Sequence, residues 1–159
     1  MRACVILLNH NGWRNTLECL ESVFRSTHAD YEVVVVDNAS TDHSVRCIRE
    51  WADGRRPAVA DHALRHLVEP PVAKPVALHV LANAQNLGYG AGNNVGLRFA
   101  LERGIDGAWL LNNDVLVAPD ALSQLVEYAD SRAPRPAITG PMVHRFDRPD
   151  RIRYAGGGR

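Results

Sequence analysis

Lysine is nearly missing from this chain of 159 residues: Lys74 is the only one, and every other basic residue is arginine. Excess charge of either sign is missing too. Eighteen basic residues face eighteen acidic ones, and a formal net charge of zero excludes a protein that grips nucleic acid through bulk charge. No apolar run approaches the ~18 residues needed to span a bilayer, so no membrane insertion is expected. The start, Met1-Arg2-Ala3-Cys4-Val5, enters a strand-like run at once and lacks the longer apolar region and cleavage site of a secretory leader. The three cysteines, Cys4, Cys19 and Cys47, are odd in number, widely spaced, and fit neither a metal nor a redox motif. They are expected to be small buried apolar groups in a reducing, cytoplasmic compartment.

What is present fits one domain with a real core: 46% hydrophobic and 23% charged residues over a single-domain length. Short apolar runs alternate with helical patterns. Cys4–Leu8 reads as a strand, and Trp13, Leu17, Leu20 and Phe24 as one face of a helix. Tyr31–Val36 is a second strand, followed by a helix carrying Val45 and Ile48 that Ser40 or Thr41 can cap. Residues 53–75, with four prolines, break the rhythm as an irregular excursion. Val76–Leu81 is a third strand, leading through a glycine- and asparagine-rich stretch into a helix with Val95, Phe99 and Leu101. Ala108–Leu111 is a fourth strand, expected to be buried on both faces, and Pro119 opens a helix with Leu122, Leu125, Val126 and Ala129 inward. Ala137–Val143 resembles a fifth strand. Strand alternating with helix predicts an α/β fold: an open, mostly parallel, doubly wound sheet.

That topology has a geometric consequence. The loops after the first, second and fourth strands must lie on one rim of the sheet, where open α/β sheets bind ligands. They carry Asn9-His10-Asn11, Asp37-Asn38-Ala39-Ser40 and Asn112-Asn113-Asp114. Two carboxylates on an otherwise amide-rich rim suit a polar ligand with a nucleobase, hydroxyls and phosphates, since asparagine both donates and accepts. Asp114 cannot hold a magnesium ion alone, because such ions want about six oxygens. It can do so when a diphosphate and water supply the rest. Asp114 also reads as a plain turn residue, Asp37 as a cap, Asp42 as a helix-end acid, and His10 as either a ligand contact or a turn filler. His62 and His66 stand four apart but have no third ligand nearby. Gly90-Ala91-Gly92 with Gly96 gives GxGxxxG, which fails the strict dinucleotide fingerprint and does not follow its strand directly. These glycines instead fit a close approach of backbone to a ligand and the start of the helix.

Four motifs in this order, VILLNHNG, VVVVDNASTD, NLGYGAGNNVGL and LLNNDVLVAPDAL, resemble the family 2 glycosyltransferases of GT-A fold, and within them the rhamnosyltransferase-like branch. The resemblance runs from Ala3 to about Val143. It implies a Rossmann-like nucleotide-binding half that moves a sugar from a nucleotide diphospho-sugar to a hydroxyl, with inversion. By it, Asp37 would bond the donor's base, with Asn9 and Asn11 lining the nucleotide pocket and Asn38 and Ser40 beside them. Asn86, Gly88, Asn93 and Asn94 match the segment along the nucleotide. Asn112 and Asn113 fill the first two positions of the DXD-like motif, and Asp114 its metal- and diphosphate-binding position, with Mg2+ or Mn2+. The donor implied is dTDP- or UDP-linked, and the acceptor a glycan or a lipid-linked molecule. The family's general base lies well downstream in an acceptor-binding half, and Asp147 and Asp150 match no motif. Residues 1–159 are therefore expected to be a single nucleotide-sugar-binding domain lacking that half, with the base beyond Arg159. The full enzyme would sit in the cytoplasm, peripheral to the inner membrane face. The rival reading is a nucleotide-sugar-binding module without turnover. A phospho-receiver is disfavoured, because Asn9-His10 stands where an acidic pair is needed and no lysine follows Lys74.

Overall fold

A computed structural model describes residues 1–54 and 76–155. The His62–His66 pair, Lys74 and nearly all of the 53–75 excursion lie outside the described residues. The elements follow in order: β1 (Ala3–Asn9), α1 (Trp13–Val23), β2 (Tyr31–Asp37), α2 (Ser44–Ala52), β3 (Leu78–Ala82), α3 (Gly88–Glu102), β4 (Gly107–Asn112), α4 (Ala121–Asp130), β5 (Val143–His144) and β6 (Ile152–Tyr154). The first four strands form one parallel sheet in the order β3-β2-β1-β4. The predicted α/β class and parallel sheet are thus present.

Burial follows the pleat. Val5, Leu7, Val33 and Val35 face a core closed by Leu17 and Leu20 of α1, Ile48 of α2 and Leu122 and Val126 of α4. Cys4, Ile6, Val34 and Val36 face the other way, onto α3. Two faces covered on the central strands explain the unbroken apolar runs of β1 and β2. All three cysteines are buried and free, as expected. Burial pushes the Cys19 thiol up to about 12, and the charge of Asp114 adds to the rise.

Several expectations need correction. β4 is not buried on both faces: it pairs only with β1, and Ala108, Leu110 and Asn112 alternate outward, with Leu110 42% exposed. Its apolar run reflects a strand that α1 and α4 cover on one side only. Ala137–Val143 is not a strand of the sheet. Val143–His144 instead pairs antiparallel with Ile152–Tyr154 as a separate exposed hairpin. Neither Ser40 nor Thr41 caps α2. The Asp42 carboxylate accepts the Ser44 N–H at 2.8 Å, and Ser40 is committed to Asp37. Pro119 stands two residues before α4 rather than inside it.

Candidate functional site

Register brings the strand ends to one rim. Asn9 lies beside Asp37, Asp37 beside Ala82, and Leu8 beside Asn112. The three polar loops picked out from the sequence are therefore neighbours in space.

Asp37 is the buried end of the site. It is 1% exposed, and its Oδ1 accepts from Asn9 Nδ2 at 2.7 Å and Ser40 Oγ at 2.6 Å. Its Oδ2 accepts the Ser40 N–H at 2.9 Å. Three donors leave a carboxylate about one further acceptor position, enough for one bond from a ligand. Ala39 makes this geometry possible. Its φ of 59° turns the chain so that the Ser40 N–H points back at Asp37. A left-handed residue with a side chain costs roughly 1–2 kcal/mol, and the Ser40 bonds offset that cost. Asn11, also left-handed at φ 51°, buttons the first loop to the second: its Oδ1 accepts the Thr41 N–H at 2.8 Å and its own N–H donates to Ser40 Oγ at 2.9 Å. His10 Nδ1 lies 3.1 Å from the Asn38 carbonyl, a turn contact rather than a free group.

Asn38 ties down the third loop. Its Nδ2 donates to Asn86 Oδ1 at 2.7 Å and to the Gly88 carbonyl at 3.2 Å. Its Oδ1 accepts from Asn83 Nδ2 at 3.1 Å and from the Leu87 N–H at 3.0 Å. Gly88, at φ 74°, makes the turn into α3. Asn93 is buried and donates to the Tyr89 carbonyl at 3.0 Å, whereas Asn94 is exposed. Gly92 and Gly96 let α3 lie close on β1: a Cβ at Gly96 would fall 2.5 Å from Ile6 Cγ2.

The other end of the site is open. Asn112 Oδ1 accepts the Tyr89 hydroxyl at 3.0 Å, and Asn113 Nδ2 donates to Thr16 Oγ1 at 2.9 Å. Asp114 is exposed and has neither a hydrogen-bond nor an ion-pair partner among the described residues. Among the described residues no three His, Cys, Asp or Glu side chains gather as a metal site. One free carboxylate beside amide oxygens is a set of hard donors. It fits an Mg2+ or Mn2+ shared with a diphosphate, and it does not fit an ion held by protein alone.

Tyr89, Thr16 and Asn83 were missed from the sequence. Thr16 had a usable signal: it is a hydroxyl on the inward side of α1, and such groups are buried only with partners. Tyr89 and Asn83 carried none, because their contacts are set by how α3 docks.

The sequence matches the family described as Glycosyl transferase family 2 over residues 4–155. No curated protein matches it significantly. Among solved structures, S. aureus TarS 1–349 in complex with UDP-GlcNAc is similar at 20% identity, with a TM-score of 0.59 over 84% of this chain and 32% of that one. The mannosyltransferase PcManGT from Pyrobaculum calidifontis, in complex with GDP-Man and Mn2+, is similar at 26% identity, with a TM-score of 0.58 over 79% of this chain and 31% of that one. The longer S. aureus TarS structure gives 21% identity and a TM-score of 0.57, over 82% of this chain and 20% of that one. The chain thus spans about a fifth to a third of these structures.

Proposed function

This chain belongs to glycosyl transferase family 2, and from that premise we propose that it is the donor-binding portion of an inverting, metal-assisted glycosyltransferase. The observation that supports this most is the shared rim: a buried acid, Asp37, and a free acid, Asp114, joined by a bed of carboxamides. Two of the structures named above are solved with UDP-GlcNAc and with GDP-Man and Mn2+, which supports a nucleotide diphospho-sugar as ligand. The resemblance to the rhamnosyltransferase-like branch favours dTDP-rhamnose or a UDP-hexose, with a glycan or lipid-linked acceptor.

In this reading Asp37 accepts one hydrogen bond from the donor's base, and the loops of Asn9, Asn11 and Ser40 hold that carboxylate still. The Asn38-tethered loop lays Asn86, Gly88, Asn93 and Asn94 along the nucleotide. Asn112 and Asn113 flank the diphosphate, and Asp114 would hold the divalent cation. Held there, a divalent cation would supply positive charge against the departing diphosphate. An acceptor hydroxyl forms the new bond to the anomeric carbon as the bond to the diphosphate breaks, and its proton passes to a base. The base is proposed to lie downstream of Arg159. Asp147 is held in an ion pair with Arg145 at 2.9 Å.

Thermal shift against UDP, GDP and dTDP, with and without Mn2+, tests the reading. A ligand at 100 times its dissociation constant adds about 2.7 kcal/mol, worth about 5–10 °C in a domain of this size. Asp114→Asn is expected to abolish the Mn2+-dependent part of the shift and leave the rest. A flat response to all three diphosphates, or an identical Mn2+ gain in the variant, refutes it.

A further inference from the structure

Between the buried acid and the open turn runs an unbroken line of side chains: Asn113 Nδ2 to Thr16 Oγ1 at 2.9 Å, Thr16 Oγ1 to Asn9 Oδ1 at 2.8 Å, and Asn9 Nδ2 to Asp37 Oδ1 at 2.7 Å. Its direction is forced from one end. An ionised carboxylate only accepts, so Asn9 must turn its NH2 toward Asp37 and therefore its carbonyl oxygen toward Thr16. Thr16 must then direct its single proton to Asn9 at 2.8 Å, ahead of the Gly12 carbonyl 3.2 Å away, because two oxygens as close as 2.8 Å need a proton between them. With that proton committed, its lone pairs can only accept, so Asn113 must turn its NH2 inward. Both middle members are fully buried, Asn9 and Thr16 alike at 0% exposure, so water cannot substitute for either. The outcome is that Asn113 Oδ1 is the end of the carboxamide left over for a ligand, and it has no hydrogen-bond partner among the described residues. Next to it in sequence, Asp114 also only accepts.

We propose that Thr16 is the positioning residue that fixes the Asn113 carboxamide oxygen-outward and thereby holds the Asn112–Asp114 turn in register with the Asp37 pocket. The charge on Asp37 thus decides, three side chains away, that the middle of the turn presents an oxygen rather than an N–H. An oxygen there adds a second hard donor beside Asp114; an N–H would repel a cation. The consequence for metal rests on the nucleotide-sugar reading above, whereas the positioning itself does not.

Two measurements on the described chain separate these. The first needs no ligand: hydrogen exchange of the Asn113 side-chain NH2, followed by NMR. Thr16→Val is expected to raise that exchange at least tenfold, and Thr16→Ser, which restores the hydroxyl, to return it. The second compares affinity for UDP, GDP and dTDP with and without Mn2+. The Mn2+ gain is expected to fall at least fivefold in Thr16→Val and to recover in Thr16→Ser. Asn113→Ala cuts the line at its outer end while keeping Thr16 and Asn9 bonded, and it is expected to lose the same gain should Thr16→Val fail to fold. Unchanged Asn113 exchange in a folded Thr16→Val chain overturns the positioning role of Thr16, and a full Mn2+ gain in Asn113→Ala overturns its consequence for metal. A chain that binds none of the three diphosphates overturns the nucleotide-sugar reading instead, and the exchange measurement still decides the role of Thr16.

Discussion

Asn38→Ala isolates how the glycine-rich loop is held. The Asn38 side chain makes four hydrogen bonds, to Asn83, Asn86, Leu87 and Gly88, and the residue is 2% exposed. A hydrogen bond contributes about 0.5–1.5 kcal/mol net, more when the abandoned partner stays dry. Here the abandoned partners sit on a largely exposed loop and can be rehydrated, so each loss belongs at the low end. Four such losses sum to about 2–3 kcal/mol. For a domain of this size that is a fall in Tm of about 5–10 °C. The loss should also be local. The Leu87 amide, which donates to Asn38 Oδ1 at 3.0 Å, is expected to lose its protection from hydrogen exchange, while amides of β1 and β2 change only with global stability. Calorimetry and residue-resolved exchange on the same sample check both parts. A Tm within 2 °C of the unchanged chain, with Leu87 still protected, would show that the loop holds itself and that the tether argued here is incidental.

Two further outcomes follow from the core and from the far end of the sheet. Gly96→Ala sets an overpacking cost of about 1–3 kcal/mol against enclosed Ile6, offset by about 1 kcal/mol of better helix propensity. A Cβ at Gly92 meets the far end of half-buried Leu8, Cδ1 at 2.6 Å and Cδ2 at 3.2 Å, and touches Asn38 Cγ at 3.4 Å, whereas Gly96 faces the fully enclosed Ile6, so urea denaturation should find Gly96→Ala the less stable of the two, and the reverse order would refute the packing argument. At the opposite end of the strands, Glu32 bonds Arg103 at 2.9 and 3.1 Å, His79 at 3.1 Å, and Arg2. The Arg103 hydrogen bonds lead in holding its carboxyl below the usual 4.5, helped by the charges of Arg103 and Arg2 and by His79, against burial that raises it. A depressed carboxylate stabilises the fold fully above its unfolded value, and the contribution is lost as pH falls through the folded one. The stability gap between the unchanged chain and Glu32→Gln should therefore be constant near neutrality and shrink below about pH 4.5. A gap that does not depend on pH would show that the ion pairs are not its source.

Period and punctuation carried most of what the sequence made legible. β1 and β2 announced themselves because both faces are covered, which leaves no polar position in Val5–Leu8 or Val33–Val36. Parallel alternation then forced Asn9, Asp37 and Asn112 onto one rim without any knowledge of side-chain contacts. The two strand expectations that failed share one cause, which is that an apolar run does not say which of its faces is covered. Ala108–Leu111 looked like β1 in composition, yet β4 is covered on one side only. Ala137–Val143 read as another sheet strand for the same reason, although Ile138, Met142 and Val143 are exposed. The roles inside the rim were hidden differently. Asparagine and threonine look alike whether they face a ligand or one another, and here Asn9, Asn38 and Thr16 spend their hydrogen-bonding groups on the protein. The residues with something left to give among those described are Asp114, Asn94 and the oxygen of Asn113, and Thr16 holds the last of these in place. Substituting an inner residue therefore should disturb stability and binding together. Substituting Asp114, which has no partner among the described residues, should change binding alone, and that separation is what distinguishes a rim built for a ligand from a cluster of turn residues.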